Sequence, residues 1–447
     1  MSEQRKAGLL TPFLEKAPKP VFVFYAIFAA FWTYFCMYAF RKPFSAATFD
    51  GLSFFGTTIN LKTALVISQI LGYALSKYLG IKFCSEITPG RRAAALVVLI
   101  LFAQAALVLY GLVPDNWKVF VIFFNGLPLG MIWGLVVWYL EGRRTSEFLL
   151  AGLSCSFIIA SGTVKDVGRW LMSSHHISEG WMPAATGLLF LPPFLLCVWL
   201  LNQLPKPTEA DEEARVHREP MNGVHRMAFI RHFLPGLVML LLAYFFLTAF
   251  RDFRDNYGVE VFKSFGYGDK EFGLFTKSET WVAFPVMGAL AALNLIKNNR
   301  YGLIGAYVIM TFGLILMGVS TVLLDAGYLG GFAWMVLIGI GSYLAYVPYG
   351  SVLFERLIAS TRVIGTAVFA IYVADAIGYT GSVGVQLCKD LSFASMSRFE
   401  FLKDFTYFMS IFGAVLLVAS CAYFLIRHRH HADVALQSVP EPESVQT

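Results

Sequence analysis

The chain is short of charge. Of its 447 residues only 14% are Asp, Glu, Lys or Arg, whereas 57% are hydrophobic and 16% aromatic; soluble globular chains carry about 25% charged residues. With a mean hydropathy of +0.63, this composition excludes an ordinary soluble protein and describes one that crosses a lipid bilayer many times. Cysteine is sparse as well. Cys36, Cys84, Cys155, Cys197, Cys388 and Cys421 are scattered, form no C-x-x-C, and mostly fall within apolar runs. Buried thiols are expected, with neither a disulfide framework nor a metal site. No nucleotide-binding loop, metal motif or soluble catalytic domain is present, so no cofactor, enzymatic activity or primary active transport is expected. The net charge of +6 does not call for nucleic acid, because the cations fit loops on one side of a membrane. The polar N-terminus leads directly into a full-length span, so no cleavable signal peptide is expected.

What is present is a series of apolar segments. Hydropathy predicts about twelve spans, at 20–46, 60–82, 92–112, 117–141, 147–172, 182–204, 232–256, 271–295, 301–324, 330–355, 362–386 and 403–427. The longest internal polar stretch, 205–231, separates two sets of six, as expected for a pair of related half-bundles. The predicted organisation is an N-terminal six-helix bundle over 1–204, a cytoplasmic linker over 205–231, a C-terminal bundle over 232–427, and a disordered tail over 428–447. Loop cations set the orientation. Arg5, Lys6, Lys16 and Lys19 precede the first span; Arg91 and Arg92, Arg143 and Arg144, and Arg215, Arg218, Arg226 and Arg231 follow the second, fourth and sixth. Lys297 and Arg300, Arg356 and Arg362, and Arg427 and Arg429 continue the series on the same face. Both termini are therefore expected in the cytoplasm of a multi-pass plasma (inner) membrane protein, most simply a monomer.

The informative residues are charges inside spans, since such groups must face water or a partner rather than lipid. Arg41 and Lys42 stand together near the far end of the first span, ahead of Pro43. They either face an aqueous cavity or snorkel to the interface. An arginine cannot deprotonate to escape burial, and its planar fork suits a bidentate anion. Lys77 lies in the second span, Lys165, Asp166 and Arg169 in the fifth, and Arg251, Asp252, Arg254 and Asp255 close the seventh. Lys277 and Glu279 lie in the eighth and Asp375 in the eleventh. For Lys165 and Asp166, local pairing at a helix end weighs as much as a cavity role.

The first-span residues Tyr38, Arg41, Lys42, Phe44 and Ser45 resemble the Y-x-x-R-K-x-F-S signature of organophosphate:phosphate antiporters in the major facilitator superfamily. The second-span S-Q-x-x-x-Y-A-x-S-K, from Ser68 to Lys77, is similar to the same helix in the glucose-6-phosphate transporter branch. Asn125, Gly126, Leu127, Gly130 and Trp133 fit that family's N-G-L-x-x-G-x-x-W. The resemblance covers the N-terminal half well and the C-terminal half weakly. It implies a major facilitator fold in which Arg41 binds a phosphate group, Lys77 lines the same cavity, and Arg251 or Arg254 supplies a second anion contact. It also implies that Lys42 pairs across the halves with Asp255 or Glu279. The sequence departs from the pattern where Gly80 to Glu86 replaces the usual G-x-x-x-D-R loop, and where Ile158 stands for a polar residue.

Together these features predict an all-α secondary transporter of an anionic organic solute, working by alternating access and exchanging it for phosphate. Arg41, Lys77, Arg251, Arg254 and Lys165 would supply positive charge, while Tyr34, Tyr38, Trp133 and Tyr257 would line the organic part. Lys42, Asp255, Glu279 and Asp375 are the predicted gating or coupling residues. Three other readings remain. Titration of Asp375 or Glu279 would make the chain a proton symporter of a carboxylate or chelate. A transporter-like sensor would bind the same ligand without moving it, and a membrane-embedded transferase has no acid/base constellation to support it.

Overall fold

A computed structural model describes residues 9–141, 143, 145–208, 211, 223–268, 271, 273–361 and 367–437. Among them are twelve long helices: α1 (Lys19–Arg41), α2 (Leu61–Glu86), α3 (Arg92–Leu112), α4 (Asp115–Leu140), α5 (Ser146–His175), α6 (Met182–Leu201), α7 (Gly223–Asn256), α8 (Leu274–Leu295), α9 (Asn299–Asp325), α10 (Gly331–Pro348), α11 (Ala367–Ser392) and α12 (Arg398–Phe408, continued over Ala414–Gln437). Nine have spans long and apolar enough to cross a membrane. The three others, α2, α8 and α11, are 26, 22 and 26 residues long, so apolarity and not length sets them apart. They are also the helices that carry Lys77, Glu279 and Asp375. A helix that gives one face to charged groups must give up hydropathy to do so.

The helix ends differ from the sequence expectation where a specific residue intervenes. The first span stops at Arg41 because Pro43 lacks the amide that would continue the ladder, and a 3-10 turn, Pro43–Ala46, follows. The seventh helix starts at Gly223 and the twelfth runs to Gln437, so parts of the expected linker and tail are helical. Residues 438–447, most of the linker over 209–222, and the cations Arg5, Lys6, Arg144, Arg215, Arg218 and Arg362 lie outside the described residues.

Two apolar cores form, one drawn from α1–α6 and the other chiefly from α7, α9, α10 and α12. The halves meet along two seams, α5 against α8 and α2 against α11. A third cluster, containing Ile158, Val282, Val286 and Tyr343, fills the first seam. Ile158, which departs from the polar residue of the resembling carriers, is therefore an apolar anchor between the halves, 1% exposed. Close helix approach depends on small residues, because lipid gives helices no hydrophobic reason to associate. A Cβ on Gly72 of α2 would stand 2.2 Å from the Phe123 carbonyl oxygen of α4. One on Gly162 of α5 would stand 2.6 Å from the Phe275 carbonyl oxygen of α8.

Candidate functional site

Arg41 is the last residue of α1, yet its guanidinium does not reach outward. It lies 3.9 Å from the centroid of the Tyr73 ring. Tyr73 is twelve residues into α2, so the cation sits about 18 Å along that helix. Side chains on a helix lean back toward its N-terminus, and here that lean carries the charge inward. Arg41 is 7% exposed. Its Nε is buried without a hydrogen-bond partner, and no carboxylate pairs with it among the described residues. The backbone around it is fixed: Gln69 donates to the Arg41 carbonyl at 2.8 Å and to Asn125 Oδ1 at 2.8 Å, while Asn125 donates to the Phe40 carbonyl at 3.0 Å. Asn125, the first residue of the fourth-span motif, thus braces α1 rather than facing the cavity.

Aromatic rings surround the cation. Tyr34 meets Tyr38 edge-on at 5.7 Å and Trp133 at 4.8 Å, and Trp133 continues to Phe157 at 6.2 Å. Across the seam Tyr73 meets Tyr379 at 5.5 Å. On the opposite wall Arg251 stacks over Tyr346 at 3.9 Å and pairs with the neighbouring Asp252 at 2.8 Å. Tyr38 and Tyr379 each lie within electrostatic range of both Arg41 and Arg251. The two guanidiniums therefore flank the same pair of tyrosines from opposite halves.

The other predicted residues divide into two groups. Lys77 stands 5.6 Å from the centroid of the Tyr73 ring but is not free: its Nζ lies 3.4 Å from Asp375 Oδ2 of α11, whose Oδ1 accepts from the Tyr244 hydroxyl at 2.9 Å. Arg254 is committed within its own half, to Glu279 at 2.9 Å and to the Met335 carbonyl at 2.9 Å. Of the two seventh-span arginines, Arg251 is the one beside Tyr38 and Tyr379, the tyrosines that also neighbour Arg41. Glu279 consequently does not meet Lys42. Lys277 is exposed and stands near the Phe332 ring instead of entering the cavity.

The second group closes the end of the bundle remote from the chain termini. Lys42 pairs with Asp255 Oδ2 at 2.5 Å and donates to Asn256 Oδ1 at 2.9 Å. Lys165 reaches Asp255 Oδ1 at 2.5 Å and also the Asp255 carbonyl. It belongs to this closure rather than to the cavity. Lys62 pairs with Glu260 at 2.6 Å, and Thr63 shares a 2.9 Å hydrogen bond with Tyr257. Tyr257 is fully buried beneath Arg398, 4.3 Å away, so it does not line the organic part. Sequence reasoning passed over Tyr73, Tyr244, Tyr346, Tyr379, Lys62 and Glu260. Tyrosines on α2, α7 and α11, three helices that also carry charge, and on the uncharged α10 were the available signal.

A model described as a family of unknown function, DUF5690, matches residues 43–427. The chain belongs to that family. No functionally curated protein matches the sequence. Among solved structures, this DUF5690 member is similar to a D-xylose–proton symporter at 15% identity and TM-score 0.59, over 90% of this chain and 96% of that one. It is similar to a bacterial homolog of the human lysosomal transporter Spinster, solved inward-facing and unoccupied, at 13% identity and TM-score 0.56, over 92% and 98%. A nucleoside transporter, NupG, matches at 12% identity and TM-score 0.56, over 89% and 98%. These identities carry the fold alone, and the fold is that of the major facilitator transporters.

Proposed function

We propose that the chain is a secondary transporter whose cargo is an organic anion bound by Arg41 between the two bundles. One observation carries the reading. A buried arginine with no carboxylate partner is costly, by several kcal/mol per unpaired ion, and intramembrane charges of this kind mark functional sites. An anion offering two oxygens satisfies the fork, and the tyrosine and tryptophan rings around it accommodate an organic body. Arg251, beside Tyr38 and Tyr379 as well, supplies a second contact from the opposite half, so one ligand can draw the halves together. Similarity of fold to proteins described as a D-xylose–proton symporter and a nucleoside transporter supports transport over sensing or catalysis.

The Y-x-x-R-K-x-F-S resemblance favours an organophosphate exchanged for phosphate. Charge pairing refines that expectation. Lys77 and Arg251 already have carboxylate partners, so an empty site strands one cation rather than three. Occluding the empty site is then costly through Arg41 alone, and an incoming phosphate would offset that cost on the return step. A thermal-shift screen of phosphorylated and carboxylated metabolites on the purified protein is the first test, followed by the best ligand on Arg41→Gln. Equal stabilisation of the Gln variant overturns the assignment. Uptake into proteoliposomes then separates a carrier from a sensor.

A second coupling mode draws support from Asp375. Its ion pair with Lys77 is long at 3.4 Å and bridges the halves, so protonation of the carboxylate would weaken one hold on Lys77 and on the contact between the halves. Uptake stimulated by internal phosphate or unlabelled ligand supports exchange. Uptake that needs only an inward proton gradient supports symport through Asp375.

A further inference from the structure

The dipeptide Lys-Asp occurs once in the N-terminal half, as Lys165-Asp166, and twice in the C-terminal half, where Lys389-Asp390, unlike Lys403-Asp404, also lies on a helix of a seam between the halves. Lys165-Asp166 and Lys389-Asp390 each lie in the part of their helix, α5 or α11, nearest the end remote from the termini. Both aspartates are buried, 3% and 5% exposed, and each meets the start of a helix belonging to the other half. Asp166 Oδ2 accepts from the Thr276 amide at 2.6 Å and the Thr276 hydroxyl at 2.7 Å, and Oδ1 accepts from the Phe275 amide at 3.3 Å. These amides belong to the first turn of α8, whose N-cap residue, Gly273, has no side chain to cap it. Asp390 Oδ2 accepts from the Asn60 amide at 3.0 Å. Asn60 is the N-cap of α2, and its own side chain accepts from the Lys62 amide at 2.9 Å.

We propose that these two aspartates form a reciprocal latch, in which each half caps the second helix of the other and the two caps make and break together. First-turn amides have no partner within their helix, and a carboxylate there gains both hydrogen bonds and attraction to the positive end of the helix dipole. The donors lie on one half and the acceptors on the other, so separation of the halves at this end removes both caps at once. Neighbouring cations support the assignment to closure. Lys165 binds Asp255, Arg169 donates to the Gly268 carbonyl at 2.7 Å, and Arg398 holds Asp390 at 2.8 Å while donating to Thr63 at 3.0 Å. The latch stands on the geometry of the two halves and is independent of the cargo and of its coupling.

Hydrogen exchange read at single-amide resolution on the full-length protein tests the proposal without a ligand. Asp166→Ala should speed exchange at Phe275 and Thr276 about tenfold or more. It should also speed exchange at Asn60, on the far side of the closure. Asp390→Ala should produce the same pair of effects, whereas protection in α3, which touches neither seam, should hold. Asp166→Asn and Asp390→Asn keep the side-chain size and one acceptor oxygen. They should show the same two-site pattern at smaller amplitude, and they carry the test if an alanine variant loses protection throughout α3. Acceleration only at the terminus nearest each substitution would mean two independent caps and would overturn the latch. Unchanged exchange at both termini would overturn it too.

Discussion

The two halves bring different charge to their common face. From the N-terminal half come Lys42, Lys62, Lys77 and Lys165, and each pairs with a carboxylate of the other half: Asp255, Glu260, Asp375 and again Asp255. The C-terminal half brings three arginines as well, but pairs them internally, Arg251 with Asp252, Arg254 with Glu279 and Arg398 with Asp390. One half is therefore a cationic surface completed by its partner, and the other is nearly self-neutralised and lends acids outward. Among the described residues, Arg41 is a buried cation of this face for which the pairing leaves no carboxylate. Charges that pair across or within the halves thus stand apart from the one that the proposed function gives to a ligand, although all lie in the same region of the fold.

The largest break in that pattern should come from Asp255→Asn. It removes the carboxylate shared by Lys42 and Lys165, leaving two buried ammonium groups without a counter-charge. Breaking a buried pair on one side typically costs about 3–5 kcal/mol. The expected outcome is a lower thermal midpoint, together with labelling of cysteines placed behind the closure that the unaltered protein resists. Asp255→Asn together with Lys165→Met should recover part of the loss, because one stranded cation goes with its partner.

The two arginines sharpen the contrast next. Arg41→Gln should cost about 2–5 kcal/mol in ligand affinity, a loss of about 30-fold or more, with the thermal midpoint unchanged or raised. Arg254→Gln should do the reverse, stranding Glu279 and lowering the midpoint while ligand affinity changes little. Isothermal titration with the ligand found by screening, alongside melting curves, distinguishes them. Reversed results would exchange their roles. At the apolar seam, Gly162→Ala forces a methyl group against the Phe275 carbonyl of α8. Overpacking of this kind costs about 1–3 kcal/mol, visible as a lower midpoint with ligand affinity retained.

Much of this was legible in the sequence, and unevenly so. Nine of the twelve long helices among the described residues are marked by hydropathy alone, because a bilayer demands apolar length and little else; α2, α8 and α11 are long enough but give up apolarity to charge. Arg41 could be singled out because no acid stands near it in the chain. Its direction could not, since the same spacing serves an interfacial and an inward side chain, and the choice depends on how α1 lies against Tyr73 of α2. Lys165 looked like a cavity residue for the opposite reason. Its partner, Asp255, is ninety positions away, and nothing local records that the halves close over it. Arg251 and Arg254 are three residues apart and so share one helical face only loosely; the position of Glu279 on α8 decides which is consumed. Ile158 departs from the polar pattern of the resembling carriers because, in the fold, it fills the seam against Val282 and Val286. Residues whose role is set by their own helix could be read directly, and residues whose role is set by the other half could not.

The smallest expected effect concerns Lys77 and Asp375, and it bears on how the cavity works. Their separation, 3.4 Å, is the longest of the four lysine pairs between the halves, and both side chains keep some exposure, 16% and 14%. A pair that is partly wet pays less to separate, so its coupling should approach that of surface pairs, about 1 kcal/mol or less. Lys77→Met and Asp375→Asn, alone and combined, form a double-mutant cycle on thermal stability that measures the coupling directly. A small value means that the bridge yields readily to an arriving anion, which can recruit Lys77 at little cost while Asp375 keeps its bond from Tyr244. A coupling of about 3 kcal/mol, like that expected at Asp255, would place Lys77 among the charges that hold the halves together. The charge awaiting a ligand would then be Arg41 alone.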